Sequence, residues 1–215
     1  MSNIVITGAN RGIGLALADW FNQRGDSVVG VCRETSSELD ALGVRVEQGI
    51  DITSRESLEQ LAQRLSDVQI DVLINNAGVM RRSDFQNIED QLDDYRLQFE
   101  VNSLSPLRVT RALLGKLGKG SKVAIITSRM GSIADNTTGG HYGYRMSKAA
   151  VNMAGVGLAH ELKDRGIAVG LLHPGYVQTD MTGQTGNVTP AESAAGLGQR
   201  IGELSMATTG SFRHA

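Results

Sequence analysis

The sequence has one cysteine, Cys32, in 215 residues, so no internal disulfide can form. That fits a reducing compartment, and a cytoplasmic location is expected. An excess of charge of either sign is also missing: 21 Lys and Arg face 23 Asp and Glu, for a formal net charge of −2. With no dense basic run, a surface built for nucleic acid is not expected. Nothing approaches the roughly 18 consecutive apolar residues of a membrane span. The first residues read as a strand and have no basic start leading into an apolar run, so no secretory leader is expected. Repeats, low-complexity tracts and linkers are absent as well, which leaves a single domain of ordinary globular composition.

Glycine is abundant, at 26 residues, and many glycines directly follow short apolar runs. That placement suggests tight strand-to-helix turns. Asn3–Thr7, Ser27–Cys32, Val44–Gln48, Asp71–Asn75, Lys122–Thr127 and Ile167–Leu172 read as strands. They are short and rich in Val and Ile, and lack strict alternation, as strands buried on both faces do. Helical stretches fall at about 12–24, 53–66, 91–115, 143–164 and 190–204. The alternation implies an α/β fold, a Rossmann-type, three-layer, doubly wound parallel sheet. The stripe Met146, Ala150, Met153, Ala154, Gly157 and Leu158 reads as core or subunit packing, and a homodimer or homotetramer is plausible on that basis.

The first strand runs into Thr7-Gly8-Ala9-Asn10-Arg11-Gly12-Ile13-Gly14, followed by an apolar helix. Glycines there permit positive φ, close approach of backbone to a pyrophosphate, and tight helix–sheet packing. Free N–H groups at the helix start suit phosphate. This segment resembles the cofactor fingerprint of the short-chain dehydrogenase/reductase family. The resemblance implies that Gly8, Asn10, Arg11, Gly12, Ile13 and Gly14 line a nicotinamide dinucleotide. Arg33, after the second strand, and Arg11 offer two cations to a ribose 2′-phosphate, where an acid would serve a free hydroxyl. NADP(H) is therefore favoured over NAD(H), with Glu34 as the residue that would serve the latter. Asp51-Ile52 resembles the family's adenine-contacting pair, although Asp51 also suits a helix cap. Asn75-Asn76-Ala77-Gly78 resembles the family's signature after the fourth strand, and implies cofactor contact at Asn76, Ala77 and Gly78.

Tyr144 and Lys148 stand four residues apart, on one face of a helix. A phenol titrates near pH 10, and a nearby ammonium would draw it down. Ser128 follows the fifth strand, where ligands bind in open α/β sheets, and its hydroxyl can hold a carbonyl. In the family such a serine usually precedes the tyrosine by about a dozen residues; here the gap is sixteen, and a longer loop absorbs it. Asn102 completes the family's Asn, Ser, Tyr and Lys tetrad. Pro106, four residues on, has no N–H for the Asn102 carbonyl, freeing it for a water in a proton relay, unless the kink serves packing alone. His173-Pro174-Gly175-Tyr176-Val177-Gln178-Thr179 resembles the family's Pro-Gly segment, implying that Pro174, Gly175, Val177 and Thr179 meet the nicotinamide. Asp180–Val188 is expected to form a mobile lid. The remaining histidines, His141, His160 and His214, show no metal-ligand spacing.

The resemblance covers residues 3 to about 212 and implies reversible reduction of an aldehyde or ketone to an alcohol. Arg129-Met130-Gly131-Ser132 is similar to the small C-factor and sniffer-like branch. Some members of that branch are linked to signalling, so a nucleotide-responsive regulator is the alternative. A last strand and tail are expected beyond the end of this sequence.

Overall fold

The computed structural model describes residues 1–215. Its apolar runs become strands, most deeply buried in the middle of the sheet: β1 (Asn3–Thr7), β2 (Ser27–Val31), β3 (Arg45–Glu47), β4 (Ile70–Asn75), β5 (Leu117–Ile126), β6 (Ala168–His173) and β7 (Phe212–His214). They form one seven-stranded sheet in the order β3-β2-β1-β4-β5-β6-β7, and every pairing is parallel. Helices α1 (Gly12–Gln23), α2 (Ser37–Ala41), α3 (Arg55–Arg64), α4 (Leu92–Phe99), α5 (Ser105–Ala112), α6 (Tyr142–Glu161) and α7 (Pro190–Glu203) cover it.

The sheet splits the core in two. On one side Val5, Leu73, Val123 and Val169 meet Leu61 of α3, Val109 of α5 and Val151 of α6. On the other, Ile4, Ile6, Ile74 and Leu172 meet Leu17 and Phe21 of α1 and Leu197 and Ile201 of α7. Each fully buried Leu or Ile contributes about 2 kcal/mol by leaving water. The expected three-layer, doubly wound architecture is therefore what the chain adopts. Strand order reverses between β1 and β4, so the crevice lies beyond their carboxyl ends, where ligands bind in such sheets.

Three expectations need correction. The stretch read as one helix over 91–115 is α4, a π-helical turn at Glu100–Leu104, and α5. The Ser105 N–H reaches back five residues to the Glu100 carbonyl, and Pro106 then sits in the first turn of α5, where a missing N–H costs nothing. Second, the last strand is present: Phe212–His214 pairs with Leu171–His173. Third, the core reading of the α6 stripe is corrected and its subunit-packing reading is not: Met146 and Met153 face outward, Met153 75% exposed, while Tyr144, Ser147, Lys148, Val151, Gly155 and Ala159 face the core. The segment expected to form a lid, Asp180–Val188, carries local hydrogen bonds of its own. A 3₁₀ turn at Asp180–Thr182 is held by a capping box between Thr179 and Thr182, and Asn187 and Val188 return N–H bonds to the Tyr176 carbonyl. No helix is long and apolar enough to cross a membrane.

Candidate active site

The glycine turn is shaped by close contact with the loop after β4. Gly8 has φ 67°, and a Cβ on it would lie 2.9 Å from the Ala77 Cα. A Cβ on Gly14 would collide with the Gly8 carbonyl oxygen. The Thr7 hydroxyl accepts the Asn76 and Ala77 N–H groups at 3.0 and 3.1 Å. Asn76 Nδ2 donates to the Thr7 and Gly8 carbonyls at 3.0 and 3.1 Å. Both Asn76 amide hydrogens are thereby occupied, so its side chain holds the turn and leaves only its Oδ1 for a cofactor. Thr7 had no visible signal in the sequence, because its partners lie some seventy residues away.

The first turn of α1 carries no capping side chain: Arg11 precedes it in extended conformation and makes no cap bond. Its N–H groups suit a pyrophosphate, as does the positive φ of Gly12, whose absent Cβ would press on Thr179 Cγ2 at 3.3 Å. This donor set and glycine-kept gap fit a dinucleotide. At the adenine end, Arg33 is exposed and lies close enough to Asp51 to help hold that carboxyl low. The larger cause is the Thr53 N–H, which donates to Asp51 Oδ1 at 2.9 Å. The cap of α3 is Ser54 instead, accepting from the Ser57 N–H, so the capping role considered for Asp51 is corrected. Ile52 packs on the core beside it. Arg11 turns toward Asp180, 3.7 Å away, and shares no contact with Arg33; both ends of that ion pair are well exposed. Asn10 offers its carbonyl to the Ser36 hydroxyl at 2.7 Å, joining the glycine turn to α2.

The tetrad residues meet at the carboxyl edge of β5. Asn102, Ser128, Tyr144 and Lys148 are all buried, the tyrosine 8% and the lysine 5% exposed. Lys148 Nζ donates to the Ile126 carbonyl at 3.0 Å and lies 5.7 Å from the centre of the Tyr144 ring. Burial pushes Tyr144 up to about 12, against a smaller downward pull from the Ser128 hydroxyl, and pushes Lys148 down to about 8. The expectation that the ammonium lowers the phenol is thus corrected. In a site this dry, loss of water outweighs the Ser128 hydrogen bond, and the phenol stays protonated at neutral pH.

Asn102 acts through a clamp. Its Oδ1 accepts from the Val79 N–H and its Nδ2 donates to the Val79 carbonyl, both at 2.8 Å. Nδ2 also reaches Ser147 Oγ at 3.0 Å, and that hydroxyl donates to the Tyr144 carbonyl at 2.8 Å. Ser103 Oγ grips the Ser147 carbonyl, also at 2.8 Å. The loop beside Gly78 is thereby locked to the turn of α6 that carries Tyr144 and Lys148. The start of α6 is also held from outside: Ser83 accepts the Gly143 N–H on its hydroxyl (3.2 Å) and the His141 N–H on its carbonyl (3.1 Å). His141 itself makes no cap bond and adopts φ 48°. Ser83→Ala should cost about 1 kcal/mol of stability, read by urea titration, the usual loss of a helix cap; an unchanged midpoint would show that the cap is dispensable.

Beyond β6, Ser193 donates to the Pro174 carbonyl, Gly175 takes φ 90°, and Thr182 occupies the Val177 carbonyl. Val177 and Thr179 therefore edge the same crevice as Gly12.

The depressed Lys148 pKa has a thermodynamic consequence. Between about 8 and the unfolded value of 10.5 the unfolded chain binds more protons than the folded one, so stability rises with pH across that window. Tyr144, shifted upward, acts oppositely, and only above its unfolded value of 10.0. From pH 8 to 10 the cofactor-free protein should gain stability over Lys148→Met by about 1 kcal/mol per pH unit. Parallel urea curves would refute this.

Comparison with known proteins agrees with the geometry. The 1-hydroxy-2-glutathionyl-2-methyl-3-butene dehydrogenase of Rhodococcus sp. (strain AD45) is 42% identical, over all of this chain and 97% of its own. The C-signal of Myxococcus xanthus is 46% identical over 66% of this chain and 87% of its own, in keeping with the branch that residues 129–132 resemble. An NADPH-bound carbonyl reductase from chicken fatty liver superposes with a TM-score of 0.89 at 28% identity, covering all of this chain and 96% of that one. Residues 2–189 match the family model for short chain dehydrogenases. With the glycine turn, the sheet order and the buried Ser, Tyr and Lys in one crevice, the chain belongs to the short-chain dehydrogenase family.

Proposed function

We propose that this chain catalyses the reversible reduction of an aldehyde or ketone to an alcohol with NADP(H), using Tyr144 as proton donor. The observation that carries the reading is a buried, protonated phenol set beside Ser128 and one helical turn from Lys148, at the sheet's carboxyl edge. Bound cofactor supplies the hydride. Gly8, Gly12, Ile13 and Gly14 would hold its pyrophosphate end and Arg33 its 2′-phosphate, with Arg11 joining there on leaving Asp180. Asp51, Ile52, Ala77, Gly78, Pro174, Gly175, Val177 and Thr179 line the remainder. Ser128 Oγ orients the carbonyl oxygen, and Tyr144 Oη passes its proton to that oxygen as the carbon is reduced. Lys148, with only one of its three hydrogens committed to Ile126, keeps two for ribose hydroxyls and proton return. The return path runs past the main-chain carbonyl of Asn102, since its side chain is fully engaged.

The name of the Rhodococcus relative suggests a substrate class: an alcohol whose neighbouring carbon bears a glutathionyl group, a substituent rich in carboxylate. Screening neutral and carboxylated aldehydes, ketones and alcohols for NADPH oxidation or NADP⁺ reduction tests the reading. Turnover of at least one carbonyl class is expected. Tight NADPH binding with no turnover of any would favour a second reading, a nucleotide-responsive regulator, for which the likeness to the C-signal speaks.

A further inference from the structure

One buried polar group at the carboxyl edge of the sheet has no use in the chemistry above. His173 ends β6, is 7% exposed, and its Nδ1 has no hydrogen-bond partner. A buried, unpaired ring nitrogen carries a desolvation cost that a bound ligand group can offset. Its position is fixed by register. Ile126 of β5 pairs with Leu172 of β6, and Thr127 donates to the Leu172 carbonyl, so His173 stands on the same edge as Ser128. On its other side it pairs with His214 of β7, the two rings packed edge to face at 4.8 Å.

Arg129 follows Ser128 directly. It is exposed, belongs to no ion pair, and makes no side-chain hydrogen bond, although 10 ion pairs hold other arginines of this chain. The turn it opens is anchored: Gly131 lies flat on α6, where a Cβ would come within 2.6 Å of the Lys148 main chain. Arg129 acts electrostatically on His173, as do His214 and, with opposite sign, Asp135. Asp135 is the one acid in that set, and it forms no ion pair with the arginine.

We infer that Arg129 and His173 form a subsite for a carboxylate borne by the substrate, on the β6–β7 side of the carbonyl held by Ser128. An arginine fork matches a carboxylate in two parallel bonds, and a neutral imidazole adds one N–H without a second charge. Burial is the main reason His173 stays neutral, with its pKa lowered to about 4. The inference rests on the proposed reading only for the position of the carbonyl.

The test measures binding rather than turnover. 4-Carboxybenzaldehyde and benzaldehyde are titrated by ligand-observed NMR against the protein with and without NADPH. The carboxylated aldehyde should bind at least tenfold more tightly. Arg129→Gln should cut the ratio of the two affinities about tenfold, and His173→Phe, which keeps an aromatic ring against His214, should lower it as well. Equal affinity for the two aldehydes, or a ratio unmoved in Arg129→Gln, would overturn the subsite. If the preference and its loss are seen but neither aldehyde is ever reduced, the subsite stands and the carbonyl-reduction reading falls.

Discussion

Tyr144→Phe should abolish turnover while leaving NADPH binding within about twofold of the native protein. The variant removes one oxygen from a ring that is already buried, so packing against α6 and the β5 edge is retained. What it removes is the proton. Positioned general acids contribute on the order of 10²–10⁴-fold, and here no other donor of suitable chemistry shares the crevice with Ser128. Lys148 does not substitute, because its Nζ is held by the Ile126 carbonyl, 5.7 Å from the centre of the ring. The check is a pair of measurements on one preparation: NADPH affinity by fluorescence and kcat with the best substrate of the screen. Turnover within tenfold of native would exclude the tyrosine as proton donor. The phenol sits at about 12, so the native enzyme's reductive rate should show no loss attributable to tyrosine ionisation below pH 10.

Gly14→Ala should weaken NADPH binding at least a hundredfold and destabilise the cofactor-free protein by about 1–3 kcal/mol, the usual cost of forcing an extra carbon into a packed site. The added carbon would strike the Gly8 carbonyl oxygen and come within 2.5 Å of Asn76 Nδ2. Neither neighbour is the loose end of a flexible chain. The carbonyl belongs to a residue at φ 67°, and the amide is pinned by two hydrogen bonds. Relief therefore requires moving the turn that faces the phosphates. Gly157→Ala is the control: it lies on α6 with nothing within 4 Å of the added carbon. Replacing a helical glycine there should raise stability by about 0.5–1 kcal/mol. If Gly14→Ala binds NADPH as the native protein does, the tight packing of the turn is irrelevant to the cofactor.

The readability of this chain follows the distance over which each feature is decided. β1, its glycine turn and β4 are set by neighbouring residues, and their bounds emerge almost unchanged from the sequence. By contrast, α2 spans five residues, too few for a periodic pattern, and β7 is three half-exposed residues defined only by pairing with β6. The break in the 91–115 stretch leaves periodicity intact on either side of the π turn, so it reads as one helix. The α6 stripe misled for a chemical reason. Its true inner face holds Gly143, Ser147 and Lys148, polar or small groups satisfied by Ser83, Asn102 and Ile126, while methionines crowd the outer face. Tyr144, Lys148, Ser128 and Asn102 were legible as a set. The hydroxyls of Thr7, Ser83, Ser103 and Ser147 that position them were not, since an isolated serine or threonine gives no hint of a partner 44 to 70 residues away.

The cap that Ser83 places on α6 bears on the order of assembly. The first turn of that helix lacks a side-chain acceptor of its own and borrows one from 60 residues upstream. Until the loop after β4 is in place, the turn bearing Tyr144 lacks that acceptor. The proton donor should therefore be among the last parts of the molecule to become protected from hydrogen exchange during refolding, after the strand cores that surround it. A protein caught short of that step would be folded by most spectroscopic measures and still be inert.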